Sequence, residues 1–178
     1  MESEEDRKQR SAEETGMRLN DVFLAMVEYD CGDAKRIQHF MKVHSFAKLI
    51  GELEGLPADE LYTLEIAAYV HDIGIKKAEE QYGNCSGKHQ EELGPDEAKQ
   101  LLINLGCEGT VVKRVCYLVG HHHTYTDIDG KDYQILVEAD FLVNLYEDAA
   151  SRDAIEHAYK SIFRTESGKR ICRTMFRL

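Results

Sequence analysis

The chain has 178 residues, 43% of them apolar and 31% charged, a size and balance that suit one globular domain with its own core. No apolar run is long enough to cross a bilayer, and the first residues, "MESEEDRKQRSAEETG", are acidic where a secretory signal would be basic and then apolar, so a cytoplasmic protein without a membrane partner is expected. The net charge of -11 repels a phosphate backbone and argues against nucleic acid as a partner, and the five cysteines (Cys31, Cys85, Cys107, Cys116, Cys172) lack a C-x-x-C pair and read as free thiols without a catalytic part.

Along the chain the apolar period is helical, with almost no strand-like alternation, so the expected fold is all-α, a compact multi-helix bundle. The acidic start up to about Gly16 reads as a frayed or loosely helical arm, and with a first helix it makes segment 1–32, packed on a helical domain over 33–178. From Asp33 the stripe Ile37, Phe40, Val43, Ala47, Ile50 marks an amphipathic helix that Gly51 and Gly55 close. After Pro57 a second helix carries Leu61, Leu64, Ala68 and His71 on one side and stops at Gly74.

In "GPDEAKQLLINLG" Pro95 suits the first helical position, Asp96 and Glu97 the positive end of the dipole and Gly106 the C-terminal cap. Thr110 suits the N-cap of the next helix, which carries Val112, Val115, Cys116 and Val119 and ends near Gly120. "YTDIDGKDY" reads as a loop, "YQILVEADFLVNLYED" as a nearly continuous apolar helix, and Ile155, Ala158, Ile162 and Phe163 as the face of a last amphipathic helix. The basic end "GKRICRTMFRL" has three placements open: over a pocket, against the acidic arm, or in a homodimer contact.

Polar residues interrupt these stripes in a pattern. His39 precedes Val43, Ala47 and Ile50 by four, eight and eleven positions and points inward, whereas His44 is rotated away. His71 extends its own stripe with Asp72 beside it near the helix end, and Asp140 lies inside the most apolar helix, where an unpaired carboxylate is costly. Taken singly, each is also what a hydrogen-bonded core histidine or a capping aspartate looks like. Three helices that each aim a His or Asp inward suit a divalent ion with mixed imidazole and carboxylate ligands.

"RIQHFMKVHSFAKLIGE", "AAYVHDIG" and "VEADFLV", in that order, resemble the signature segments of the HD-domain superfamily of metal-dependent phosphohydrolases over about Lys35 to Asp148. The resemblance implies an all-helical scaffold with His39, His71, Asp72 and Asp140 as metal ligands. In some members further histidines bind a second ion; here those would be His89, with Glu91 as the alternative, and His121 and His122 of "LVGHHH". Val115, Val119 and His122 continue one helical face and Leu118 and His121 the adjoining one, so both can turn inward, leaving His123 toward solvent or substrate. Members that cleave cyclic dinucleotides tend to carry a lysine directly after the glycine of the HD turn; Ile75 stands there instead, and no GYP-type motif is present.

The implied reaction is hydrolysis of a small phosphate ester, a nucleotide above all, with one or two divalent ions (Mn, Fe, Co, Ni, Zn or Mg) activating water. Asp72 would also orient or deprotonate that water. Lys76 and Arg36 are the cations that sequence places best for the phosphoryl charge, though both also read as solvated surface groups. Two other classes share the ligand set: a diiron oxygenase-type enzyme and a non-catalytic sensor with a metal inside.

Overall fold

The computed structural model describes residues 17–178, which are helices and short connections with no strand among them. The acidic arm up to Gly16 lies outside the described residues. In chain order the helices are α1 (Leu19–Tyr29), α2 (Ala34–Leu53), α3 (Ala58–Val70), α4 (Gly74–Tyr82), α5 (Gly87–Asn104), α6 (Gly109–Val119), α7 (Lys131–Glu147), α8 (Arg152–Ser161) and α9 (Glu166–Phe176).

Burial follows composition. α3 is buried at every position from Thr63 to Val70, and α7 from Ile135 to Asp140, so neither has a solvent stripe along these stretches and both form the centre. α2 packs on both, its Phe40, Val43, Ala47 and Ile50 turned inward as the stripe predicts. α1 and α6 pack on α3, α5 on α6, and α4 on α5. Leu64, Ile66, Val70, Ile135, Leu136 and Leu142 have no exposed surface, and each contributes about 1.5–3 kcal/mol.

Several helix starts are set by short polar side chains that accept a backbone N–H. Asp33 takes Arg36 N at 3.0 Å, Ser86 takes His89 N at 3.4 Å and Thr165 takes Gly168 N at 2.9 Å. Ser86 corrects one expectation: α5 starts at Gly87 and Pro95 sits inside it, not at its first position. The pyrrolidine ring uses the space left by a glycine, since a Cβ on Gly120 would stand 3.0 Å from Pro95 Cγ. Likewise α6 is capped at Glu108, two residues before Thr110.

The expected last helix is α8, which ends at Ser161 before the Ile162 and Phe163 of its stripe, and after a break a further helix, α9, follows. The fully buried carboxylate of Glu138 on α7 explains the break: it accepts from Arg164 N (2.6 Å), Thr165 N (2.9 Å), Thr165 Oγ1 and Gln134 Nε2 (2.8 Å). Those peptide N–H groups face an anion, and the chain turns around it. α9, the basic end, then lies against α7, α2 and α8.

A close helix approach places the HD turn. A Cβ on Gly74 would stand 2.7 Å from Gln90 O and 2.9 Å from Gly94 N, so the start of α4 meets α5 backbone to backbone. The turn over residues 71–73 is thereby pressed between α2, α7 and the end of α6.

Candidate metal centre

Four segments deliver the polar groups. α2 presents His39 from its buried face, the turn after α3 presents His71 and Asp72, α7 presents Asp140, and the turn after α6 presents His122 and His123. His39, His71, His122 and Asp140 are buried, and His71 is completely so.

His39 Nε2 and His71 Nε2 are 3.3 Å apart. Asp140 Oδ1 stands 3.2 Å from the first and 3.5 Å from the second, and Asp72 Oδ2 stands 3.4 Å from each. The other Asp72 oxygen, Oδ1, faces His122 Nε2 at 3.4 Å, and His123 joins that side. The Asp72 carboxylate thus turns one oxygen to each of two donor groups. Donors about 2.0–2.2 Å from a shared ion stand roughly 3–3.5 Å from one another, so the residues present fit a divalent cation.

The histidines are oriented for that task. His71 Nδ1–H donates to Ala68 O at 2.9 Å and His122 Nδ1–H to Val119 O at 2.8 Å, leaving each Nε2 toward the centre. His39 instead donates from Nδ1 to Glu147 Oε2 at 3.0 Å, and Lys42 also pairs with Glu147. Asn144 Nδ2 holds Asp140 Oδ1 at 2.9 Å. Asp140, Asn144 and Glu147 are four and then three positions apart, one face of α7. His122 Nε2 is buried and has no hydrogen-bond partner. An imidazole nitrogen is seldom left so unless something outside the protein takes it.

Charge is matched inside the group. Burial disfavours the imidazolium of His71, but the Asp72 and Asp140 carboxylates outweigh it and carry its pKa up to about 9. His39 is raised too: burial opposes its charge, while the hydrogen bond to Asp140 and the charge of Asp72 support it. Asp72 and Asp140 are held well below the usual carboxylate range despite burial, Asp72 chiefly by His71 and Asp140 by His39 and His71. His123 is pushed down to about 4 by burial and by the neighbouring His122. Gln90 Nε2 donates to Cys85 O at 2.8 Å, which turns its Oε1 to accept from His123 Nε2 at 3.2 Å.

Other expected residues stand elsewhere. His121 is not brought to the group: its ring stacks on Tyr117 at 4.2 Å and Nδ1 donates to Tyr117 O at 2.7 Å. The chain leaves helical geometry after Val119, so the helical face extrapolated through His121 does not continue, and His123 takes the place expected for it. His89 stacks on Tyr82 and pairs with Asn84 Oδ1 at 2.9 Å, because it lies in the first turn of α5, away from the cluster. Glu91 accepts from His123 N and Thr124 Oγ1, each at 3.0 Å, and so supports the histidine turn.

A cavity of about 310 Å³ opens onto His39 and Asp72. Arg36 lines it, held by Glu79 at 2.6 Å and Asp33 at 3.3 Å. Lys76 does not line it. Ile75 and Glu79 face this cavity, while Lys76, one step round α4, donates to Tyr29 O at 3.0 Å and lies over the Tyr29 ring. Sequence reasoning missed Lys35 and Asn144 in the cavity wall and Glu147 behind His39; the one available signal was the spacing of Asn144 and Glu147 from Asp140.

The family model described as HD domain matches residues 36–158, and the chain belongs to the HD-domain family. A crystal structure of a predicted HD superfamily hydrolase from an uncultured Thermotogales bacterium is similar, with 25% identity, a TM-score of 0.65, and coverage of 95% of this chain and 91% of that one. No curated protein matches the chain. No helix among the described residues is long and apolar enough to cross a membrane.

Proposed function

We propose that this protein is a metal-dependent phosphohydrolase acting on a small phosphate ester of the nucleotide class. Membership of the HD-domain family and the similarity to a predicted HD hydrolase support the reaction type. The observation that carries it is the buried, partnerless His122 Nε2 beside the two-faced Asp72 carboxylate, which itself lines an open cavity. A purely structural cluster would close its hydrogen bonds internally; this one keeps a buried imidazole nitrogen without a partner, 3.4 Å from a carboxylate that lines the cavity.

His39, His71 and Asp140 would hold one ion and Asp72, His122 and His123 a second, with Asp72 able to serve both. A divalent ion supplies Lewis acidity there, making hydroxide accessible near neutral pH and drawing charge from a phosphoryl group. The chain's own part is arrangement. Glu147 and the Ala68 and Val119 carbonyls fix the imidazole tautomers, and Asn144 fixes the Asp140 rotamer. Asp72, ionised and between the two groups, would orient the attacking water. Arg36 at the cavity wall faces the charge that builds on the phosphoryl oxygens.

The test is a phosphatase screen over nucleotides, sugar phosphates and cyclic dinucleotides with manganese, cobalt or magnesium, with metal analysis on the same sample. Phosphate release is expected, and Asp72→Ala and His71→Ala should abolish both metal binding and release while keeping helical circular dichroism. Unchanged metal content in both variants would sink the assignment. A coloured diiron sample that releases no phosphate would instead favour oxygen chemistry.

A further inference from the structure

The cavity over His39 and Asp72 is acidic for a site that receives an anion. Its wall carries the carboxylates of Asp33, Glu79, Glu147 and Asp148 against the cations of Lys35 and Arg36. Counting Lys42, which pairs with Glu147 from behind, carboxylates still outnumber cations. The cations are also committed: Arg36 is held by Glu79 and Asp33, Lys42 by Glu147. Lys35, exposed in the first turn of α2, is the one cation of the wall without an ion-pair partner among the described residues.

Divalent ions held by the two donor groups would offset Asp72 and Asp140 and supply the attraction for one phosphoryl group at the floor. A second phosphate would extend past the floor to the wall, where Asp148 and the one carboxylate in excess of the Asp33–Arg36–Glu79 cluster repel it and a single lysine answers. Recognition of a polyphosphate or a dinucleotide uses several free Lys or Arg donors, which this wall lacks. Size points the same way, since about 310 Å³ is at the lower end of small-ligand pockets, roughly 300–1,000 Å³.

Building on the hydrolase reading, we infer that the centre takes phosphate monoesters whose leaving group is a neutral or cationic alcohol, nucleoside monophosphates included, and discriminates against substrates with a second phosphate. Asp148 and Glu79 act as the excluding charges, and Lys35 is the counterweight.

The experiment compares the 5′-mono-, di- and triphosphate of one nucleoside on the manganese-loaded protein, with free manganese held constant so that chelation by the triphosphate does not enter. Both kcat/KM for release of phosphate and equilibrium affinity are read. The monophosphate should be favoured over the triphosphate by about ten-fold or more, the scale of setting added negative charge against an acidic, partly solvated wall. Asp148→Lys combined with Glu79→Gln should narrow that ratio several-fold, and Lys35→Glu should widen it. A flat or reversed series, or a ratio that neither variant moves, overturns the inference even if phosphate is released. Graded binding without release of phosphate from any ester would leave the selectivity standing and overturn the hydrolase reading; no binding of any of the three overturns the selectivity.

Discussion

His121 and His122 are neighbours in the chain with opposite surroundings, and the difference decides what each can do. His122 Nε2 is buried and partnerless 3.4 Å from Asp72 Oδ1, while the His121 ring stacks on Tyr117 outside the donor cluster. Under the proposed assignment, His122→Ala should weaken manganese binding by more than the 10–100-fold typical of losing an outer-shell partner, and His121→Ala should change it by less than about three-fold. Isothermal titration of metal into chelator-stripped protein checks the pair, and equal losses would mean that the turn is wrongly placed. The reason lies in the end of α6. Up to Val119 each residue advances about 100° around the axis; from Gly120 the chain turns, and side-chain direction no longer follows from spacing.

Among the elements, the contact of α4 with α5 does the most to place the centre, because the HD turn is the leading end of α4. Gly74 has no room for a side chain, its would-be Cβ being 2.7 Å from a backbone oxygen that cannot swing aside. Gly74→Ala should cost about 1–3 kcal/mol as the helices separate, lowering the melting temperature by roughly 2–4 °C for each kcal/mol in a chain of this length. Differential scanning calorimetry on metal-stripped protein reads this directly, and a melting point within a degree of the parent would show that α4 and α5 are not so tightly joined. Glu138 works at the same scale: one buried carboxylate gathers the peptide N–H groups of Arg164 and Thr165 in the break between α8 and α9. The apolar stripe runs on through Ile162 and Phe163 and so does not mark the end of α8 at Ser161, because a distant carboxylate has no trace in the local spacing.

For the molecule as a whole, the centre links stability to pH and to metal. His71 has a folded-state pKa near 9 against an ordinary 6.5, so its ion pair stabilises fully below pH 6.5 and is lost as pH rises through 9. Asp140 and Asp72 are depressed from 3.8, so their contribution is present above that value and is lost as pH falls below it. Metal-stripped protein should therefore be most stable between the two, and lose roughly 2–3 kcal/mol of stability between pH 6.5 and 9 from His71. With manganese in excess the ion takes the place of the imidazolium proton, and the loss should vanish or reverse. Thermal melts at pH 6.5, 7.5 and 9 with chelator or with metal check this; a stripped protein whose melting point is level or rises over that range contradicts it. Saturating metal at about 100 times Kd should add ~2.7 kcal/mol at any one pH.

The sequence by itself determined the helical class, the course of the main helices and the inward direction of His39, His71 and Asp140 through one physical cause, while Asp72 joined them through the resemblance. Inside a helix the apolar stripe states which way the core lies, so a His or Asp on that stripe is known to point inward before any partner is seen. Tertiary structure alone decided everything that depends on chain between helices or on a second element. It turned His123 rather than His121 toward Asp72, kept His89 and Lys76 away, brought Glu147 behind His39, and lined the cavity with more carboxylates than free cations. Those directions are set by backbone turns and by packing across elements, and neither has a period that can be read along the chain.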